Sequence, residues 1–594
     1  MPAVLGLNFH HDTSVALIVD GRLYAAEEER WSGIKHHRQP RHRKATLTAP
    51  IHALAWCLGA AGINPEDIDA VWTPSMRPTP AAGWWLAEER DELAALLSSP
   101  LGEHLRLISH HTAHAMAGYL LSGIDHAAGL VIDAGGSSLG ADFGPGRERI
   151  TGYDLHPDRV DRIHQAMPIV IPGPVGPRRV HSSLGHFYRN LALRLIPPGD
   201  EPEGSMMALA ALGHPDRYRD ALRALIRFGT DGDVRIAHPW GSADTETPLI
   251  TERRAWTTNG AAAASLTDRA DLAAAVQETF AQAVTHIARH LQRLTGASTL
   301  VFSGGCALNS HLNGHLAADA GFDNLFVAPA PHDAGTALGA ALYAWHYQLG
   351  QPRLPVPTDA AWGPEPDPGS AFTTPTGYRA LPRLGDQLVP VVAALLADHR
   401  IVGWVRGPME FGPRALGHRS ILAHPGHTDT RNRLNAIKQR ASYRPFAPAV
   451  LSEYVSDWFM TTGDPFMNRV AQARHCRAER IAAVIHRDGT ARLQTVANGH
   501  SGLRPLLEEF HRRTGLPLLL NTSLNRKGAP RTGSPDHSGA RSGRRCHQRH
   551  TSAGGPRPPP RQCPADAVAE RRTQSHDLPR NHGHPERSRR FGMA

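Results

Sequence analysis

Cysteine is scarce, and its placement rules out two common uses. The five residues, Cys57, Cys306, Cys476, Cys546 and Cys563, lie far apart, and no C-x-x-C pair occurs. That spacing offers neither a disulfide framework nor a zinc ribbon and suits a reduced cytoplasm. No run of about 18 apolar residues is present, so no membrane-spanning helix is expected. The opening M-P-A-V-L-G-L-N lacks a basic n-region and an apolar h-region, so a signal peptide is not expected. Excess charge is also missing from most of the chain. The net charge is +9, but residues 531–594 hold 13 Arg and no Lys against 5 acidic residues. That segment carries +8 and leaves +1 for residues 1–530. A nucleic-acid reading therefore rests on the tail alone.

Large apolar residues are nearly absent from that tail, where only Val568, Leu578, Phe591 and Met593 occur. It contains P-R-P-P-P-R and S-G-R-R-C-H-Q-R-H. Such a segment cannot bury enough surface to offset its ordering entropy, so disorder is expected. It begins abruptly after the strand-like L-P-L-L-L-N-T-S-L-N. Two origins fit: an RNA-binding or regulatory arm, or a shifted reading frame in a GC-rich gene.

What is present points to more than one domain in 594 residues. Residues 3–30 predict two short apolar strands meeting at an Asp20-Gly21 hairpin turn, with the loop N-F-H-H-D-T between the first strand and the second. G-L-V-I-D-A-G-G (129–136) reads as a strand entering an Asp and two glycines. Residues 268–295 predict an amphipathic helix, with Leu272, Val276, Phe280, Val284, Ile287, Leu291 and Leu294 at spacings of three or four and Gly296 ending it. T-L-V-F-S-G-G-C-A-L-N (299–309) and the small-residue helix P-H-D-A-G-T-A-L-G-A-A-L follow. Three strand-to-loop elements in this order predict the two-lobed fold of actin, sugar kinases and Hsp70. The Pro- and Gly-rich stretch 351–385 reads as a linker. A second α/β unit begins near Gly385 and ends near Asn525.

His110 and His114 are four apart, so on a helix they share one face and can offer two ligands to one metal. His111 stands where a zincin needs Glu, which excludes that class. Asp133 and Asp333 fall at strand-to-loop turns that face a cleft, and two His with Asp favour Fe(II), Mn(II) or Zn(II). A core or capping histidine pair is the plain alternative. His11, beside Asp12, reads either as a general base or as a surface loop residue. Arg406, Arg414, Arg419, Lys438, Arg440, Arg444 and Arg492 crowd the second unit, as phosphate-binding forks or as solvated charge. Asn521 and Ser523 end an apolar strand, where α/β proteins bind ligands. Cys306 has no adjacent base and reads as a packed thiol.

With these residues identified, the chain resembles the NodU/CmcH/TobZ-type O-carbamoyltransferases. The stretches that carry the resemblance are L-G-L-N-F-H-H-D, A-A-E-E-E-R-W-S-G-I-K-H, H-H-T-A-H-A, V-I-D-A-G-G, F-S-G-G-C-A-L-N, P-H-D-A-G-T-A-L-G-A-A-L, M-E-F-G-P-R-A-L-G-H-R-S-I-L-A, Y-R-P-F-A-P and L-L-L-N-T-S-L-N. The resemblance implies an α/β protein: an actin-like, TsaD-like two-lobed domain over 1–350, a linker over 351–385, a smaller YrdC-like domain over 386–530 and a tail over 531–594. It implies that carbamoyl phosphate and ATP, with Mg2+, yield carbamoyladenylate in the second domain. The first domain then passes the carbamoyl group to a hydroxyl of a small natural product in secondary metabolism.

By position, the resemblance puts Fe(II) on His110, His114, Asp133 and Asp333 and makes His11 the base. It puts the adenylate near Gly135, Gly136, Gly304, Gly305 and Asn309. It puts carbamoyl phosphate and ATP near Arg414, Lys438, Arg444, Arg492, Asn521 and Ser523. It also suggests a cytoplasmic homodimer. Two departures stand out. E-G-S-M-M-A-L-A-A-L-G (203–213) has Ser205 where the family has Lys, and it lacks the family's aromatic. The match also stops after Gly528 to Pro530, which implies weak support around Asn521 and Ser523.

Two other functions compete. A threonylcarbamoyl-type transferase acting on tRNA is disfavoured by the near-neutral body. An inactive protein that binds nucleic acid through its tail would show salt-dependent binding that is lost on removing residues beyond 530. The acceptor is not legible, although 74–105, 157–200 and 228–262 are the stretches expected to shape its pocket.

Overall fold

Residues 3–27 fold as their local pattern dictates. β1 (Ala3–Asn8), β2 (Ser14–Val19) and β3 (Arg22–Glu27) form an antiparallel meander. Asp20 and Gly21 take φ of 49° and 74°, the left-handed pair a tight Asp-Gly turn needs. β4 (Ala70–Ser75) and β5 (Leu105–Ser109) add in parallel to β1, giving the order β3-β2-β1-β4-β5. The computed structural model describes residues 2–37, 49–75, 90–91, 93–97, 100–137, 147–166, 169–171, 178–180, 183–198, 201–236, 265–366, 383–500 and 502–531. The expected disorder of the tail beyond Arg531 falls outside them, as do parts of the three stretches expected to shape the acceptor pocket.

A second sheet repeats the first. β6 (Ala127–Ile132), β7 (Ile150–Leu155) and β8 (Val160–Gln165) make another antiparallel meander. The strands Thr299–Ser303 and Asn324–Phe326 then add in parallel beside β6. Counting strands within each sheet, both have the order 3-2-1-4-5 with the same strand senses. The chain therefore builds two lobes of one topology.

Two helices fill the space between the lobes. Ala334–Tyr343 packs on β1, β2 and β4, while His110–Ser122 packs on β6 and Thr299–Ser303. The helices also cross each other, and a Cβ at Gly339 would stand 1.8 Å from the Ala113 carbonyl oxygen. Only glycine permits that approach. The expected long helix runs Leu266–Thr295 and stops at left-handed Gly296. Its stripe from Leu272 to Leu291 is buried, but Leu294, in the final turn before the cap, is exposed.

The second unit has its own core, with Trp404, Phe459, Phe510 and Leu518 among its buried residues. Its five strands run in the order Val402–Val405, Arg419–Ala423, Leu518–Ser523, Ala447–Leu451, Gln494–Val496. The strand bearing Asn521 and Ser523 is thus the central one. Asn521 is in register with Leu422 on one side and Ala447 on the other, so its support does not depend on chain beyond Pro530.

The Pro- and Gly-rich segment is not loose throughout. Within residues 351–366, Leu354 and Ala360 are buried. Trp362 accepts a hydrogen bond from Ala25 N (3.0 Å), and Gly363 N donates to Met409 O (2.8 Å). That part is a strap across both units. Arg531, grouped with the tail by composition, is buried, and its guanidinium donates to the carbonyls of Gly412 and Arg414.

Candidate metal centre and anion pocket

His110 opens its helix because Ser109 caps it, the Ser109 hydroxyl accepting from Thr112 N (3.2 Å). His114 follows one turn later on the same face. Asp133 leaves the end of β6, and its Oδ1 accepts from Gly305 N (3.2 Å). Asp333 precedes the helix Ala334–Tyr343, whose close crossing at Gly339 draws it toward the histidines. The ligand atoms of these four residues all lie within 4.8 Å of one another. The His110 and His114 Nε2 atoms are 3.1 Å apart. His110 Nε2 lies 3.5 Å from Asp133 and 3.7 Å from Asp333, and His114 Nε2 lies 3.6 Å from Asp333.

Four ligands around a zinc-like ion at ~2.1 Å sit about 3.4 Å from each other. The observed gaps match that spacing. Two imidazole nitrogens this close share at most one proton, and two carboxylates face them. The set therefore carries negative charge that a dication balances. Burial opposes charge on His110, yet Asp133 and Asp333 raise its pKa above the ordinary histidine value. Asp133 moves the other way: burial penalises its charge, but His110, His114 and His111 hold its carboxyl below the usual range.

His111 is different. Fully buried, it contacts Thr151 Oγ1 through Nδ1 (2.7 Å), and burial pushes its pKa down to about 3. It is a neutral core residue.

His11 sits over Asp12, its Nδ1 paired with that carboxylate. Asp12 is buried with a left-handed φ of 61° and also meets His36 Nδ1 (2.5 Å) and His332 Nε2 (3.8 Å). Burial penalises its charge, but His332, His11 and His36 hold its carboxyl well below the usual carboxylate range. Asn8 ties this loop to the metal set, donating to the carbonyls of His11 (3.0 Å), Asp12 (3.2 Å) and Asp333 (3.1 Å). Sequence reasoning found His11 beside Asp12 but missed His36 and His332, which also face that carboxylate. The only signal was their place inside the quoted stretches.

The glycines fall where backbone must approach closely. Gly304, at φ 88°, would put a Cβ 2.3 Å from Ile132 O, and Gly305 would put one 3.0 Å from Asp133 Oδ1. Gly135 and Gly136 follow Asp133 and Ala134, hemmed by Arg149 and Glu148. Asn309 is less available: it accepts from Leu312 N (3.1 Å) and exchanges hydrogen bonds with Gln277. Cys306 is half-buried, and burial, with Asp133 and Glu203, raises its pKa, which leaves it an inert thiol.

The second unit gathers Arg414, Lys438, Arg440, Arg444 and Arg492. Lys438 Nζ donates to Ser523 O (2.6 Å), Ser523 Oγ (3.2 Å) and Asn525 Oδ1 (2.6 Å). Burial, then Arg440, Arg444 and Lys35, lower its pKa to about 7. Arg440 stacks on Phe446 at 4.0 Å and is lowered to about 9 by burial and Arg444. Arg414 is lowered to about 10 by burial, Arg444 and Arg531. Arg492 is pushed well down by burial and by Arg414, Arg444 and Arg440, against which Asp464 is the opposing charge. This much uncompensated positive charge marks an anion site. Asn521 adds an oriented amide, donating to Ala415 O (3.0 Å) and Gln494 Oε1 (2.9 Å).

Arg406 and Arg419 do not join this group as expected. Arg419 is almost fully buried and donates to the carbonyls of Gly407 (3.0 Å), His418 (2.9 Å) and Pro364 (2.9 Å), so it anchors the strap. Arg406 N and O serve the backbone and the His418 ring. Glu410, unremarked in the sequence, organises the loop between them by accepting from the amides of Leu416, His418 and Arg419.

The pocket meets the first unit. Arg414 donates to Leu308 O (3.3 Å), and Glu201 lies 3.6 Å from Arg444 and pairs with Lys35. Ser205, where the sequence departs from the resembled family, is buried on the adjoining helix Pro202–Ala210. Lysine scarcity was an unused signal. The chain has four, Lys35, Lys44, Lys438 and Lys527, and two of them flank this pocket.

Comparison with known proteins places the chain in one class. The family description "Carbamoyltransferase N-terminus" matches residues 95–342, and "Carbamoyltransferase C-terminus" matches residues 393–542. Nodulation protein NolNO of Sinorhizobium fredii is 33% identical over 88% of this chain and 75% of its own length. The 3'-hydroxymethylcephem-O-carbamoyltransferase of Amycolatopsis lactamdurans is 39% identical over 45% of this chain and 48% of its own. A crystal structure of T.kodakarensis HypF aligns at 14% identity and a TM-score of 0.38, over 59% of this chain and 48% of that one. The chain belongs to the carbamoyltransferase family. Among the described residues, no helix is long and apolar enough to cross a membrane.

Proposed function

We propose that the protein is an O-carbamoyltransferase that uses ATP and carbamoyl phosphate, through carbamoyladenylate, to carbamoylate a hydroxyl of a small natural product. The observation that carries this reading is the convergence of His110, His114, Asp133 and Asp333, from three distant segments, on one point. The duplicated sheets support the actin-like reading of residues 1–350, and the compact five-stranded unit with its cations supports the YrdC-like reading of 386–530. The name of the cephem O-carbamoyltransferase supports a hydroxyl acceptor.

In this reading Arg414, Lys438, Arg444 and Arg492 bind the phosphates of carbamoyl phosphate and ATP, which arrives with Mg2+. Asn521 and Ser523 orient the reacting end. The adenylate then lies against Gly135, Gly136, Gly304, Gly305 and Asn309, where the absence of side chains allows backbone contact. Fe(II), held by His110, His114, Asp133 and Asp333, would supply Lewis acidity there. Asp12 holds His11 by Nδ1, so Nε2 takes the acceptor proton. The acceptor oxygen bonds to the carbamoyl carbon, the bond from that carbon to the AMP oxygen breaks, and AMP leaves with its electron pair.

The test is to incubate the full chain with ATP, Mg2+ and carbamoyl phosphate and to follow pyrophosphate and AMP, with 3'-hydroxymethylcephem as a trial acceptor. Pyrophosphate release should require both substrates. His11→Ala should keep that release and lose carbamoyl transfer. No carbamoyl-phosphate-dependent turnover of ATP would refute the reading.

A further inference from the structure

We propose that His126, Asp154 and His156 form a second site for a borderline divalent cation such as Zn2+, at the opposite end of β6 from the first. Strand geometry builds it. Asp154 and His156 are two apart along β7, so their side chains share one face of the sheet. Ala127 is in register with Leu155 and Ala128 with Asp154, which brings His126, one step before β6, opposite His156. Three ligands thus meet at one end of the sheet, with His126 and His156 each one residue outside its strand.

The side chains are aimed at one point. The two imidazole rings stack at 4.4 Å with only 14° between their planes. Both Nε2 atoms face the same carboxylate, His126 at 2.8 Å from Oδ1 and His156 at 3.2 Å from Oδ2. All three ligand atoms lie within 4.8 Å of one another. For bonds of ~2.1 Å, neighbouring ligands of one ion are about 3.0–3.4 Å apart. A surface His–carboxylate hydrogen bond accounts for His126. It does not account for His156, whose shielded Nε2 has no partner in hydrogen-bond geometry.

The platform is stiff. His156 N donates to Arg159 O (3.0 Å) across the turn, and Tyr347 Oη donates to His156 O (2.8 Å). All three ligands are partly exposed, so water can complete the coordination shell. The six residues of β6, at about 3.3 Å each, put this site roughly 20 Å from Asp133. It shares no ligand with the first set, and two histidines with one carboxylate suit Zn2+.

Equilibrium dialysis of the full chain against Zn2+ tests this directly. His126→Ala and His156→Ala should each bind one equivalent fewer than the unaltered chain, and Asp154→Asn should bind that equivalent more weakly. Melting curves in chelator should match for all four proteins. Unchanged stoichiometry in both histidine variants overturns the proposal. Should a variant fail to fold, anomalous scattering from Zn2+-soaked crystals of the unaltered protein decides. A peak within bonding distance of all three residues supports the site, and its absence overturns it.

Discussion

The two functional regions are electrostatic opposites. The first is four buried or half-buried ligands, two of them carboxylates, from three distant segments. The second is five half-buried or buried cations, among which Arg492 feels Arg414, Arg444 and Arg440 more than it feels Asp464. In the proposed reading a dication balances the first and phosphate-bearing anions balance the second. Such crowding destabilises the unliganded fold, since like charges and buried ions both cost free energy. The two regions meet where Arg414 touches Leu308 O.

Substitutions can separate them. The largest effect is expected from His114→Ala. It should lose bound metal and slow carbamoyl transfer at least about 100-fold, while pyrophosphate release continues. Equal loss of both activities would show the two sites are not separable in this way. Next, Arg492→Ala should raise the KM for carbamoyl phosphate roughly 10- to 100-fold, as expected for losing a charged hydrogen bond. Metal content, read by elemental analysis, should not change.

Lys438 gives the second region a pH dependence of its own. Its pKa in the unliganded protein is held down to about 7 by burial, Arg440, Arg444 and Lys35. An anion bound beside it raises that value, so binding takes up a proton above about pH 7. Affinity for sulfate, whose charge is fixed over this range, should be level below pH 7 and fall by up to about tenfold per pH unit above it. Calorimetry in buffers of different ionisation enthalpy measures the uptake, and Lys438→Met should abolish it. The smallest effect on either site is expected from His111→Asn. It should cost about 1–2 kcal/mol of stability through the lost Thr151 contact, with metal content intact. Loss of the metal would make His111 a ligand after all.

Much of this was legible in the chain. Asp20-Gly21, the 268–295 periodicity and the strand-to-loop elements rest on local sterics and on side-chain periods of two or 3.6 residues, which neighbouring residues determine. His110 and His114 were legible as a pair for the same reason. Their union with Asp133 and Asp333 rested on turn positions and on the family resemblance, because spacing alone also allowed a core pair. Arg419 shows the limit from the other side. Within M-E-F-G-P-R-A-L-G-H-R-S it looks like its neighbour Arg414, yet the fold points it at three carbonyls and points Arg414 into the pocket region.

The sequence by itself determined the elements, the two-unit division and the residue types available for metal and phosphate. Those follow from hydrophobic period, turn chemistry and composition. Only the tertiary structure decided which charges end up facing each other. Whether Asp12 serves His11, whether Arg531 docks or stays with the tail, and whether His126 meets His156 all depend on non-local strand register and on helices crossing at Gly339. Burial then sets what each group's charge costs, and no stretch of chain carries that information alone.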